Sequence, residues 1–313
     1  MDKVDTPTLS TPVVLFLFRR PDTTRKVFTA IRQAKPRTLF LISDGPRPGN
    51  AKERDLCEES KIVVGNIDWP CTVTRIYSET NLGLRDRILT GLDEVFETVD
   101  QAIILEDDCL PTGSFFGFCQ SLLDRYKSSS EVAIISGFNF APTKPKDSDY
   151  FFSKHTVIWG WATWGHLWRR FRQDPQVETW SMEELEAVRP TFTDRSRFSE
   201  FVRLARKGET LNTWDISLSM WIRQNNMLTV VPRTNLISNI GFGGEATHTK
   251  FEAFDLEAPA GNLLGELKHP KEISWGFKDE KAAYRRKAFR WVIFPIRHPI
   301  NFLSRFVRYL TLR

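Results

Sequence analysis

Short apolar runs alternate with longer, more polar stretches along the first part of the chain. The apolar runs PVVLFLF (12–18), RTLFLISDG (37–45), CTVTRIYS (71–78) and AIIL (102–105) have the length and composition of strands. The stretches 22–34, 50–65 and 84–99 between them are predicted helices, and Asp22 is the predicted N-cap of the first. Strands and helices that alternate in this way predict an α/β fold with a mainly parallel central sheet.

The composition is that of an ordinary globular protein, with 41% hydrophobic and 27% charged residues in a chain of 313. A chain of this length buries enough apolar surface to fold without disulfides or a structural metal. Its four cysteines have no metal-ligand spacing, and the first apolar run is too short for a signal peptide or a membrane span. These features lead us to expect a cytoplasmic protein with reduced thiols.

The end of the chain is basic and aromatic. No acidic residue follows Glu280, whereas nine lysine and arginine residues lie among large apolar side chains in 281–313. This pattern is typical of a segment on the inner face of a membrane, and equally of a C-terminal helix packed on its own domain, although Pro295 and Pro299 interrupt any long helix. We expect no nucleic-acid partner, because no nucleic-acid-binding motif accompanies the basic residues.

Three consecutive carboxylates follow the fourth predicted strand, in the sequence AIILEDDCLP. Glu106, Asp107 and Asp108 repel one another unless a cation or hydrogen-bond donors compensate their charge. Ligands of open α/β sheets bind at the carboxyl ends of the strands, which is where this triplet falls. Carboxylate oxygens suit Mg²⁺ or Mn²⁺, so the triplet indicates a divalent metal site; a solvated loop or cap is the alternative. Neither GxGxxG nor a P-loop motif is present.

The order of several motifs resembles a known enzyme family. The runs PVVLFLFRRP, ILEDDCLPTGSFF, WGWATWGHLW, TWDISLSMW and PRTNLISNIGFGGEATHT resemble bacterial glycosyltransferases of the GT-A fold, and are most similar in order to N-acetylglucosaminyltransferase I. The resemblance covers about residues 11–250. It implies a transferase domain at 1–254, with a nucleotide-binding half at about 11–110 and an acceptor half at about 111–254. Residues 255–313 lie outside the resemblance and form a C-terminal extension, for which membrane association and packing on the domain both stay open.

The resemblance assigns roles to residues near the nucleotide of the sugar donor. Arg20, at the end of the first strand, is expected to hold the nucleotide. Asp44 is expected to accept a hydrogen bond from the uracil N–H, although an Asp-Gly turn is also a common use of this dipeptide. Arg85 or Arg87, between which the sequence does not choose, supplies a basic residue near the nucleotide.

The acidic motif and a later histidine are the residues that the resemblance assigns to the metal and its surroundings. Asp108 is the expected ligand of Mn²⁺ or Mg²⁺, while Asp107 lies near the ribose and Glu106 meets ribose or solvent. His248, in the Gly-rich motif GFGGEATHT, would reach the diphosphate or the metal if that loop closes on the donor.

Asp215, in TWDISLSMW, aligns with the catalytic base of the family, although only one aspartate stands where the family has two. A base is needed to accept the proton of the attacking hydroxyl in an inverting transfer. The alternative role is a cap of the helix that follows. Trp161 is the predicted acceptor-binding residue of the tryptophan-rich motif, whereas Trp164 and Trp168 are predicted to be core.

Together these features predict a metal-dependent, inverting glycosyltransferase. Its donor would be a nucleotide-sugar, most simply a UDP-sugar, and its acceptor a carbohydrate or a lipid-linked glycan. Two other classes stay open: a metal-dependent phosphohydrolase, which would need a second set of ligands, and a noncatalytic adaptor at a membrane surface.

Overall fold

The computed structural model describes residues 9–140, 142, 147–174, 214–241, 260–263 and 265–281. The first part of the chain alternates strands and helices as the sequence predicts. These elements are β1 (Val13–Leu17), α1 (Pro21–Ala34), β2 (Thr38–Ser43), α2 (Ala51–Val63), β3 (Thr72–Tyr77), α3 (Leu84–Thr98) and β4 (Gln101–Glu106). One boundary prediction is wrong: α1 begins at Pro21, so Asp22 lies inside its first turn, and Arg20 is the N-cap residue.

The elements after β4 are shorter and their directions vary. They are β5 (Cys109–Pro111), α4 (Gly113–Tyr126), β6 (Val132–Ser136), β7 (Tyr150–Ser153), β8 (Trp161–Trp164), α5 (Gly165–Gln173), α6 (Asp215–Gln224), β9 (Leu228–Pro232) and β10 (Ile237–Asn239). A separate two-stranded ribbon pairs β5 with β10 in antiparallel register. This ribbon continues directly from the acidic triplet.

Eight strands form one mixed sheet in the order β3-β2-β1-β4-β8-β6-β9-β7. The strands β3, β2, β1 and β4 are parallel, whereas β8 and β7 run against their neighbours. The chain moves outward from β1 through β2 to β3 and then returns to the other side of β1 as β4. Strand order therefore reverses between β1 and β4, and the carboxyl ends of these two strands flank the crevice where ligands of α/β sheets bind.

The central strands are apolar because both faces of the sheet are covered. Every residue of β1 and β6 is buried, as is every residue of β8. Trp164 and Trp168 are 3% and 2% exposed, so both are core residues as predicted, although Trp164 ends strand β8 and does not belong to a helix. Continuous apolar strands of this kind are typical of parallel sheets buried on both faces.

Part of the predicted C-terminal extension packs on the sheet. The backbone N–H of Asp149 donates to the carbonyl oxygen of Lys268 at 2.9 Å, and the backbone N–H of Lys268 donates to Asp149 Oδ2 at 2.8 Å. Other contacts join Phe152 to Trp275, Arg233 to Asp279 and Ser153 to Glu280. Segment 265–281 is thus bound to strand β7 and to Arg233, which directly follows β9, whereas the basic residues after Lys281 lie outside the described part. Among the described residues, no helix has both the length and the apolar character to cross a bilayer.

Candidate functional site

The acidic triplet lies at the reversal point of the sheet. Glu106 ends β4 and is paired in register with Phe16 of β1, while Asp107 and Asp108 form the turn into β5. Arg20 lies just after the carboxyl end of β1, the strand that pairs with β4. Two adjacent parallel strands therefore deliver three carboxylates and one guanidinium to the same edge.

Arg20 and the triplet are in direct contact. The Nη1 atom of Arg20 lies 2.5 Å from Asp108 Oδ2 and 3.5 Å from Asp107 Oδ1. The backbone N–H of Phe18 donates to Asp107 Oδ2 at 3.3 Å. These contacts orient Asp107 toward the end of β1 and leave Asp108 as the more exposed of the two aspartates, with side chains 16% and 8% exposed.

The triplet carries more negative charge than Arg20 compensates. Burial, together with the charges of Asp108 and Asp107, raises the pKa of Glu106 above its ordinary value. Burial also raises the pKa of Asp107, although the Arg20 guanidinium opposes that rise. Crowded carboxylates with raised pKa values are typical of sites that accept a further cation or a proton.

Asp215 lies within electrostatic reach of this cluster. Its charge is one of the causes that raise the pKa of Glu106. Asp215 is the first residue of α6, and Trp214 before it stacks on Trp161 of β8, with 5.7 Å between ring centroids. Since β8 pairs with β4, this stack fixes the start of α6 beside the strand that ends in the triplet. Asp215 stands in the first helical turn and not at the N-cap position, which Trp214 occupies.

The side chain of Trp161 is not positioned to bind an acceptor sugar. Its side chain is 2% exposed and is stacked on Trp214. A sugar cannot pack on a ring whose faces are already covered by protein, so the prediction for this residue is wrong. The signal of several tryptophans in one motif reports core packing here: Trp161 is one of the largest fully buried side chains of the described structure.

The β5–β10 ribbon brings the start of the Gly-rich motif onto Asp108. The backbone N–H of Ile240 donates to the carbonyl oxygen of Asp108 at 2.8 Å. A Cβ atom added to Gly241 would stand 2.8 Å from Asp108 Cβ, closer than real Cβ contacts allow. Glycine is therefore required at this position if Asp108 keeps its place. His248, predicted to reach the diphosphate or metal, lies outside the described residues, so its role stays a prediction.

Asp44 anchors a loop. Its Oδ1 atom accepts from the backbone N–H groups of Gly45 and Leu82 at 2.9 and 2.8 Å. Its Oδ2 atom accepts from Asn81 Nδ2 and the Gly83 N–H at 2.9 and 3.0 Å. A carboxylate has about four lone-pair sites, and these four donors use them all. These contacts fit the alternative role of Asp44, that of a turn residue before glycine. Asp44 also binds the loop that precedes α3.

Both candidate arginines of α3 stand in its first turn, at the carboxyl edge of the sheet. Arg85 Nη1 is paired with Asp86 Oδ1 at 2.9 Å and has a side chain 27% exposed. Arg87 is 6% exposed, and its Nη2 lies 3.5 Å from Glu94 Oε1. The Nε and Nη2 atoms of Arg87 are buried without a hydrogen-bond partner among the described residues. The ion pairs of Arg85 and Arg87 with Asp86 and Glu94 do not favour either arginine as a nucleotide ligand, so the choice between them stays open.

The sequence interpretation missed a second charged cluster at the other side of the β1 end. Arg19 and Arg47 both contact Glu53, which is 1% exposed and lies in the first turn of α2. Asn50, the N-cap residue of α2, accepts from the Glu53 N–H at 3.0 Å. The spacing Asn50 to Glu53 resembles a helix-capping motif and could have identified the start of α2, but not the two arginines that meet there.

The donor set at the triplet fits a divalent cation that is bound together with an anionic ligand. Among the described residues, no group of three or more acidic, histidine or cysteine side chains is placed to hold a metal ion by itself. Asp108 offers hard oxygens, is more exposed than Asp107, and lies in a site that has excess negative charge. Mg²⁺ and Mn²⁺ accept one or two protein carboxylates when phosphate oxygens and water complete the shell.

Comparisons with known proteins do not identify the function of this chain. No protein-family model matches the chain, and no curated protein matches it. Among solved structures, the chain is similar to a cytidylyltransferase from Leptospira borgpetersenii, with 11% sequence identity and a TM-score of 0.31. The matched region covers 53% of this chain and 64% of that chain, less than two thirds of its length. At this TM-score the similarity defines neither the fold nor the activity of this chain.

Proposed function

We propose that the chain is a metal-dependent glycosyltransferase with a GT-A fold, and that it transfers a sugar with inversion from a nucleotide-sugar to a glycan or lipid-linked acceptor. One observation carries this proposal. The acidic triplet and Arg20 meet at the reversal point of the sheet, and the charge of Asp215 reaches the same cluster. A charged donor, a metal and a general base are all required by this reaction, and each has a matching group.

Asp108 and Arg20 are the residues that would bind the sugar donor and its metal. Asp108 would hold Mn²⁺ or Mg²⁺, which neutralises the charge of a departing nucleoside diphosphate. Arg20 donates to Asp108, and its other N–H groups could donate to a phosphate oxygen of the donor. Asp107, held by the Phe18 N–H and by Arg20, fixes the backbone that carries Asp108.

Asp215 supplies the base. Its carboxylate accepts the proton of the acceptor hydroxyl as that oxygen attacks the anomeric carbon, and the nucleoside diphosphate leaves from the opposite face. A single displacement of this kind inverts the configuration. The start of α6 is well suited to the role because the Trp161–Trp214 stack holds it rigidly beside β4.

Calorimetry with nucleoside diphosphates in the presence and absence of Mn²⁺ tests the donor half of the proposal. We expect nucleotide binding that requires the metal, and slow hydrolysis of one nucleotide-sugar in a screen without acceptor. Metal binding with no nucleotide preference would favour the phosphohydrolase, although the described residues contain no group of three or more side chains placed to hold a metal. Liposome binding with neither nucleotide nor metal binding would favour the membrane adaptor.

A further inference from the structure

A surface at the outer edge of the sheet exposes a large aromatic ring. It lies where segment 265–281 packs on β7, the last strand in the order of the sheet. Trp275 is bridged to Phe152 of β7, and the backbone N–H of Gly276 donates to the carbonyl oxygen of Phe152 at 2.8 Å. Phe277 directly follows this contact and is 45% exposed. The ring therefore meets solvent although the chain around it is held in place.

Lysine ammonium groups accompany the aromatic rings of this surface. Lys281 Nζ lies 5.3 Å from the centre of the Phe277 ring, and Lys154 Nζ lies 4.3 Å from the centre of the Trp275 ring. The two rings contact each other, with 5.0 Å between their centroids. Residues 277–281 are helical, so Phe277 and Lys281 share one face. These four residues are called the aromatic-lysine patch: Lys154, Trp275, Phe277 and Lys281.

Positive charge prevails at the aromatic-lysine patch. The two acidic residues nearest in sequence already have partners: Asp279 pairs with Arg233 at 2.7 Å, and Glu280 is buried and accepts from several donors. In the earlier part of the segment, 265–274, two lysines are balanced by two glutamates. Lys278 adds an exposed positive charge beside the patch. The charge that this surface presents to a partner is therefore that of its lysines.

The chemistry of the patch complements an anionic lipid surface. Residues 282–313 continue from Lys281 with eight lysine and arginine residues and no acidic one, so their charge repels the patch and does not neutralise it. At a lipid surface, an aromatic ring enters the boundary between head groups and acyl chains while lysine ammonium groups stay at the phosphates. A polymer of acidic residues would satisfy the lysines but leave the ring in water. Lipid head groups above acyl chains satisfy both.

We propose that the aromatic-lysine patch docks on an anionic lipid surface and is a contact of the folded domain, additional to any contact of the basic residues that follow it. One exposed ring and two lysines bind weakly by themselves. Two weak contacts in one chain reinforce each other, because the first holds the second close to the surface. The inference does not depend on the proposed transferase activity.

Docking through the patch leaves the acidic triplet open to solution. Four strand spacings separate β7 from β4, which is about 19 Å at about 4.8 Å for each spacing. Strand β7 also runs against β9, and its last residue, Ser153, pairs with Thr229 near the amino end of β9. Lys154 therefore lies toward the amino edge of the parallel strands, whereas the triplet lies at their carboxyl edge. A soluble ligand can reach the triplet while the patch contacts a bilayer.

Co-sedimentation of the full chain with vesicles tests the proposal. One set of vesicles is phosphatidylcholine alone, and the other contains about one third anionic phosphatidylglycerol. We expect the wild type to bind the anionic vesicles at least about 10-fold tighter, with a preference that falls as salt is added. Phe277→Ala should weaken binding to them about 5-fold through lost apolar contact. Lys154→Gln combined with Lys281→Gln should weaken it about 25-fold at low salt, or about 5-fold for each lysine.

Matched control variants lie on helices α1 and α2, away from β7. Ile62→Ala removes an apolar side chain that is 75% exposed and is the control for Phe277→Ala. Lys26→Gln combined with Lys52→Gln removes two exposed positive charges and is the control for the lysine pair. Each control should change vesicle binding less than about 2-fold, because its position lies outside the proposed contact. Thermal unfolding of every variant shows whether it is folded.

Each outcome supports or overturns the assignment. Loss of affinity in the patch variants, with the controls close to wild type, supports it. Wild-type affinity in folded patch variants overturns it and assigns any vesicle binding to other residues, as does equal binding of neutral and anionic vesicles by the wild type. Patch-dependent binding of polyglutamate as tight as that of vesicles also overturns it, in favour of an acidic protein partner. Nucleoside diphosphate binding with Mn²⁺ is measured separately, and its absence would count against the proposed function alone.

Discussion

Glu280 is expected to contribute strongly to stability, because it fastens segment 265–281 to the edge of the sheet. Its Oε2 atom accepts from Ser153 Oγ, the Lys154 N–H and Trp275 Nε1 at 2.7, 2.8 and 3.0 Å. Its Oε1 atom lies 3.2 Å from His155 Nε2. Glu280 is 6% exposed, so solvent screens these contacts little. Glu280→Gln removes the charge while conserving the size of the side chain.

The magnitude follows from the pKa of Glu280. Burial alone would raise this pKa, but the hydrogen bond and charge of His155, with hydrogen bonds from Ser153 and Trp275, outweigh burial and lower it from 4.5 to about 2. A shift of this size corresponds to about 3 kcal/mol of folding stability. Since the folded pKa lies below the ordinary one, this stability is present above pH 4.5 and is lost as the pH falls toward 2.

Urea denaturation checks this expectation. At pH 7, Glu280→Gln should lower the free energy of unfolding by about 3 kcal/mol, and the difference from wild type should shrink as the pH falls below 4.5. Glu272→Gln makes the same chemical change at an exposed position of the same segment and should cost less than about 0.5 kcal/mol. A Glu280→Gln protein as stable as wild type at pH 7, or a difference independent of pH, would refute the reasoning.

The remaining predictions concern the site and the tail. Asp108→Asn should weaken metal-supported nucleotide binding together with turnover, whereas Asp215→Asn should leave binding intact and reduce transfer by about 10² to 10⁴, as calorimetry and rate assays will show. Wild-type transfer by a folded Asp215→Asn would exclude the base role. Truncation after Lys281 retains Glu280 and should abolish salt-sensitive binding to anionic liposomes without loss of donor hydrolysis; unfolding would contradict a membrane role. Gly241→Ala should displace Asp108 and weaken Mn²⁺-dependent nucleotide binding in calorimetry, with normal binding counting against the close packing.

The sequence predicts the elements whose pattern is local. The alternation of strands and helices up to β4 has a clear hydrophobic period. The acidic triplet follows an unbroken apolar strand, so the sequence alone predicts its position at the carboxyl edge of the sheet. The charge of Asp215 raises the pKa of Glu106, but its role as the base stays a prediction. The direction of β8 is not readable in this way, because its residues WATW are equally suited to either strand direction.

Roles that depend on distant partners are the ones that sequence reasoning assigns wrongly or misses. Trp161 becomes core because Trp214, far along the chain, stacks on it. Glu53 is buried because arginines from two separate loops compensate its charge, and nothing in its own helix indicates them. A lone aspartate before glycine has many uses, and only the contacts of Asp44 with the loop 80–83 identify the one adopted here.

Arg20 connects metal binding to nucleotide binding. Its Nη1 atom lies 2.5 Å from Oδ2 of Asp108, an oxygen that a metal would also need. Without nucleotide, a metal must compete with this guanidinium for Asp108. A diphosphate relieves the competition, because it gives Arg20 another anionic partner and supplies metal ligands of its own. We therefore expect Mn²⁺ to bind weakly alone and at least 10-fold tighter with UDP present, and Arg20→Ala to improve the binding of Mn²⁺ alone while reducing the effect of UDP. Equal Mn²⁺ affinity in wild type and Arg20→Ala, measured by titration calorimetry, would mean that the Arg20–Asp108 ion pair does not control access to the site.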